Sequence, residues 1–202
     1  MFDAPSAHLP DRIEIDVHTD PQDLTRRVTL SILLYRDGVA AWHQARDSGG
    51  EVDVAVLELD RSKMPDGCAI RAFGVNHLAA ESDRFEVGDR LAIPGFPLGF
   101  FDTIHHLPVV RQASIASYYG VRFQGLGFFL TDARLHRGSS GSPVLAPAFG
   151  EADDQPRWRL LGVHSSRMDM AGRDAAQDES LGLNCAWYAD VLLPLTGSDE
   201  PR

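Results

Sequence analysis

Apolar and polar residues alternate along much of this chain. Ile13, Ile15 and Val17 are separated by polar positions, and Val28, Leu30, Ile32 and Leu34 repeat the pattern over a longer stretch. Val52, Val54 and Val56 follow, then Leu57 and Leu59. A period of two places apolar side chains on one face of a β-strand. Further strands are predicted at residues 90–93, 109–117, 127–131, 158–164 and 182–187. Asp37-Gly38, Ser48-Gly49-Gly50, Pro65-Asp66-Gly67, Pro94-Gly95 and Pro97 mark turns between them. A helical period shows only in the tail, where Tyr188, Val191 and Leu192 can share one side of a short closing helix. Residues 169–180 are polar and small, as in an exposed loop, and residues 151–156 suit an acidic hairpin loop. Many short strands joined by glycine and proline turns predict an all-β fold, a barrel or a sandwich.

Composition narrows the classes of function. The 202 residues, 44% of them hydrophobic, suffice for one domain or two small barrels. A formal net charge of −10 opposes binding to nucleic acid or to anionic membranes, because phosphates are repelled. The first twenty residues have neither a basic start nor an apolar run, and no stretch is long enough to span a bilayer. Cys68 and Cys185 are the only cysteines and lie in no metal-ligand spacing. Two lone cysteines favour a reducing compartment, so a cytoplasmic location is expected. His105-His106 has no third ligand at metal spacing. Neither a metal nor another cofactor is expected.

The strongest chemical signal is Arg137-Gly138-Ser139-Ser140-Gly141-Ser142-Pro143-Val144. A serine that attacks a carbonyl needs an exposed oxygen and two N–H groups aimed at the developing oxyanion. Gly138 lets the chain fold into such a concave loop, and Gly141 clears room for substrate. The N–H groups of Gly138 and Ser140 are the expected oxyanion hole. A flexible Ser/Gly loop could have the same composition. A second signal is Asp53 at the head of the apolar run Val54-Ala55-Val56-Leu57. A carboxylate there needs a partner, and orienting a histidine is one use for it. An aspartate that merely caps a turn before a strand is the plainer account.

Acid before serine, together with the flanking segments, resembles trypsin-like serine peptidases of the chymotrypsin fold. The likeness is greatest to the bacterial branch without disulfides, which includes relatives of the HtrA proteases. It rests on Asp53-Val54-Ala55-Val56-Leu57, Ile93-Pro94-Gly95-Phe96-Pro97-Leu98-Gly99, the stretch from Arg111 to Ser117, the Ser140 motif, and Leu161-Gly162-Val163-His164-Ser165. The resemblance implies a double β-barrel, with halves at 1–105 and 106–202 and the site between them. It implies an endopeptidase with Ser140 as nucleophile, Asp53 as triad acid and a polypeptide as substrate. It leaves the oligomeric state open. The edge at His164, Ser165 and Ser166 would pair with the substrate main chain. Residues 132–137 would line the pocket for the side chain before the scissile bond. Arg134 stands where relatives often set pocket charge, although by itself it reads as a surface arginine. Many secreted relatives have an aspartate just before the nucleophile; Ser139 stands there, so that activation switch cannot work through this residue.

The resemblance also demands a histidine upstream of the acid, in a setting like Thr-Ala-x-His-Val. No segment matches it. His43 is the candidate base, although Trp42-His43 also fits a place where relatives carry a non-catalytic histidine. His8 and His18 fit less well, and His136 is in the wrong order. The economical expectation is a chain that begins after the histidine strand, with an incomplete first barrel and weak activity or none. Two alternatives remain: a catalytically dead barrel that binds extended peptides, and an α/β-hydrolase esterase. Pro143 and Pro147 oppose the helix that an α/β-hydrolase needs after its nucleophile.

Overall fold

The computed structural model describes residues 9–80, 82–148, 157–168 and 181–197. His8 and the loops expected at 151–156 and 169–180 lie outside the described residues. The fold is all-β with an incomplete first barrel. Its first half consists of three separate two-stranded ribbons. Strands β1 (Arg12–His18) and β2 (Arg27–Leu33) run antiparallel, with Ile13 opposite Ile32, Ile15 opposite Leu30 and Val17 opposite Val28. This register gathers all six apolar side chains on one face, as the alternation requires. Strands β3 (Tyr35–Arg36) and β4 (Val39–Ala40) meet across Asp37-Gly38. Both turn residues have positive φ, the conformation that matches the twist of a tight hairpin.

The third ribbon joins β5 (Trp42–Asp47) to β6 (Gly50–Leu57), with a bulge between Gln44 and Arg46. Val52 and Val54 of β6 are buried, and Asp53 between them is exposed on the other face. Val52 and Val54 pack with Phe128, Leu130, Cys185, Trp187 and Leu195 of the second half. The ribbon that carries Asp53 is therefore docked on the second half by apolar contact, without an inter-sheet strand pairing.

The second half is one six-stranded antiparallel sheet in the order β8-β7-β10-β11-β12-β9. Its strands are β7 (Arg90–Gly95), β8 (Val109–Ser114), β9 (Phe128–Thr131), β10 (Pro143–Pro147), β11 (Trp158–Arg167) and β12 (Asn184–Tyr188). The sheet curls until its end strands meet. Ile115, just past β8, bridges Thr131 of β9, and the Ala116 N–H donates to the Leu130 carbonyl at 2.8 Å. Inside lie Leu91, Ile93, Ile115, Phe129, Val144 and Leu161, all sealed from solvent. A short helix, α1 (Leu192–Leu195), closes the chain over the β5–β6 ribbon and Trp187.

Two expectations are corrected. The halves drawn at 1–105 and 106–202 do not coincide with the sheets: β7 precedes that boundary yet pairs with β8 and β10. The change of architecture falls between β6 and β7, where the chain leaves the ribbons. The α/β-hydrolase alternative also fails. Its named strands would run parallel between helices, whereas here they pair antiparallel and the chain after Ser140 enters β10.

Candidate active site

The loop between β9 and β10 carries Ser140, and several contacts hold its shape. Gly138 has φ +89°, and a Cβ there would lie 2.4 Å from the Phe96 carbonyl oxygen. Only glycine fits, both for the backbone angle and for the close approach. The Leu98 N–H donates to the Arg137 carbonyl at 2.6 Å, which ties the loop to the turn after β7. The Ser139 N–H donates to the His136 carbonyl at 3.1 Å, and the Ser142 N–H to the Ser139 carbonyl at 3.1 Å. On the far side, the Gly141 N–H donates to the His164 carbonyl at 2.8 Å, and the His164 N–H donates to the Ser142 carbonyl at 2.9 Å.

These bonds leave two donors over. The N–H groups of Gly138 and Ser140 have no hydrogen-bond partner among the described residues. They are the pair expected to stabilise an oxyanion. Gly141, at φ +85°, has nothing within 4 Å of its would-be Cβ, so the space beside the nucleophile is open. Ser140 is exposed, and its Oγ donates to the Ser165 carbonyl at 2.7 Å.

Ser140 and Asp53 line one cavity of about 830 Å³, together with Ala55, Gly141, His164 and Ser165. Two residues far apart in the chain, on different halves of the molecule, thus face the same space. Asp53 also acts on its neighbour Cys185: burial pushes the Cys185 thiol up, and the Asp53 carboxylate adds to that rise against a lowering contact from Ser166.

His43 lies elsewhere. It is opposite Val56 in the ribbon. It does not line the cavity that Asp53, Val56 and Ser140 share. Among the described residues no histidine hydrogen-bonds to Ser140 or to Asp53. His105 and His106 hold a loop instead, through Asp102 at 2.8 Å and Asp16 at 3.3 Å. No metal-binding cluster occurs among the described residues.

The expected substrate edge is more differentiated than the sequence suggested. Both backbone groups of His164 are engaged by the nucleophile loop, so they hold that loop in place. The Ser165 carbonyl accepts from Ser140 Oγ, and both residues line the cavity. His164 has a further property that sequence reasoning missed. The residue is 3% exposed, Nδ1 has no partner among the described residues, and burial pulls its pKa down to about 4 despite a bond to the Cys185 backbone. The signal was present: a histidine ending the apolar run Leu160-Leu161-Gly162-Val163 sits on a buried strand.

The trypsin-like peptidase domain family matches residues 13–152, more than half of the chain. The chain belongs to that family. Among solved structures it is similar to the HtrA-type protease AlgW, a serine-to-alanine variant with a tripeptide, at 18% identity and a TM-score of 0.46. That match covers 94% of this chain and 60% of the other, so this chain spans about three fifths of that protease's length. It is also similar to Rv3671c from M. tuberculosis, a serine-to-alanine mutant in an inactive form, at 15% identity and a TM-score of 0.41. There the match covers 96% of this chain and 80% of the other. No curated protein matches the chain.

Proposed function

We propose that this chain carries the acyl-transfer centre of a trypsin-like serine endopeptidase, with Ser140 as nucleophile and Asp53 as triad acid. One observation carries the reading: Ser140 and Asp53 share a cavity beside two N–H donors that have no partner among the described residues. Ser140 Oγ would attack the substrate carbonyl while the N–H groups of Gly138 and Ser140 take up the negative oxygen. A base between Asp53 and Ser140 would receive the serine proton and return it to the departing amine, and water would then hydrolyse the ester. The cytoplasm is part of the proposal, because Cys68 and Cys185 are unbridged.

A second reading is a barrel that binds extended peptides without cleaving them. It is favoured by the absence of a described histidine bonded to either residue. Serine without its base keeps only the residual catalysis that an oxyanion hole provides. The chain by itself is therefore expected to turn over an activated ester at close to background. His43→Ala should leave that rate unchanged, and added imidazole should raise it in the native chain but not in Ser140→Ala. Robust turnover abolished by His43→Ala would overturn the account of the base. Imidazole activation that survives Ser140→Ala, or fails altogether, would leave the peptide-binding reading.

A further inference from the structure

A second cavity, of about 410 Å³, is lined by Arg134, His136, Arg167 and Asn184 among others. We propose that it receives an acidic side chain, aspartate or glutamate, from the substrate residue whose carbonyl faces Ser140. Cleavage would then follow acidic residues. The proposal rests on the endopeptidase reading above.

Placement is the first argument. The cavity wall at residues 133–136 runs directly into Arg137-Gly138, the start of the nucleophile loop. Arg167, on β11 two residues beyond the Ser165 carbonyl that Ser140 touches, lines it as well. A main chain laid along the Ser165–Ser166 edge projects its side chains alternately to either side. Arg167, one residue past that edge on β11, is among the residues that line the cavity.

Charge is the second argument. Arg134, His136 and Arg167 line one small space, and no carboxylate lines it among the described residues. Among the described residues none of the three forms an ion pair. In a chain of net charge −10, a pocket whose described lining holds two arginines and no carboxylate runs against the overall field. Two adjacent cations repel, and a bound carboxylate would relieve that repulsion while accepting paired N–H donors.

Rigidity is the third. Asn184 is 1% exposed, and its amide donates to the carbonyls of Thr131 and Gly182 at 3.5 and 3.4 Å, and to that of Ala133. This amide ties one wall to the other and leaves recognition of an anion to the arginines. A cavity whose spacing is set in advance loses less on binding.

The test is binding, which needs neither Ser140 nor a base. Fluorescently labelled peptides of one sequence, ending in Glu, Asp, Gln or Lys, are titrated with the whole chain and followed by anisotropy. The Glu or Asp peptide should bind about tenfold more tightly than the Gln peptide, as one charged contact would give. Arg134→Gln and Arg167→Gln should each erode that preference. Equal binding of the Glu and Gln peptides to the native chain, no binding of the Glu peptide in the millimolar range, or a preference untouched by both substitutions would overturn the proposal. Full displacement by inorganic phosphate, with the Glu and Gln peptides competing equally, would assign the cavity to a free anion instead. Acid preference without Ser140-dependent ester turnover in the presence of imidazole would sink the endopeptidase reading and leave the pocket standing. Turnover without acid preference would do the reverse.

Discussion

Ile15, Val17 and Leu30 on the β1–β2 ribbon are half-buried, whereas Phe129, Val144 and Leu161 inside the six-stranded barrel are sealed from water. Both sets come from strands with apolar side chains on a common face. The difference lies in what covers them. The barrel strands close on themselves through Ile115 and Thr131, so each apolar side chain meets others from across the sheet. The β1–β2 ribbon has an apolar face and two edges, and no further strand of the described residues pairs with either edge. Isolated two-stranded ribbons are marginal in water. The β5–β6 ribbon is intermediate. It too lacks sheet partners, yet Val52 and Val54 dock on β9, β12 and α1. The proposed acid Asp53 is therefore held in place by the half of the molecule that carries the proposed nucleophile.

The largest test of this contrast is Phe129→Ala. A fully buried aromatic removed from a closed barrel should cost about 3–5 kcal/mol, read from the shift of the urea midpoint. A loss below that of a ribbon substitution would break the comparison.

His164 should produce the next effect, through pH. Its folded pKa of about 4 lies below the ordinary 6.5, so the unfolded chain takes up the proton first as pH falls. The stability linked to a neutral ring is present above pH 6.5 and is lost as pH falls towards 4. The full difference is about 3 kcal/mol. His164→Gln keeps a side-chain donor for the Cys185 carbonyl but cannot titrate, so its unfolding curves should change less between these pH values. An acid limb identical in both proteins would show that His164 does not carry it.

The smallest effect belongs to the ribbon. Leu30→Ala should cost about 1 kcal/mol, because its side chain is already partly in water. A loss as large as that of Phe129→Ala would mean that the ribbon has cover the described residues do not reveal.

Local signals were legible where they acted alone. The alternation at Ile13–Val17 and Val52–Val56, and the turn at Asp37-Gly38, appear where expected. The strands that were missed have no such signal. Trp42–Asp47 shows no regular alternation and becomes a strand because β6 pairs with it. Pro143–Pro147 begins and ends in proline, which argues against a strand; the prolines stand at its two ends, opposite Val163 and Trp158. Arg134 alone reads as a surface arginine. Only in the folded chain do Arg134 and Arg167 line the same cavity.

By itself, then, the sequence determined the all-β class, the faces of the longest strands, and the loop of Gly138 to Pro143. Side-chain period and glycine's tolerance of positive φ act over a few residues, so they can be read in order along the chain. Only the tertiary structure decided that Asp53 and Ser140 share a cavity, that His43 does not line it, and that Arg134 and Arg167 line another. Each of those depends on strand register and on one ribbon docking against a barrel, and contacts between distant segments leave no local period to read.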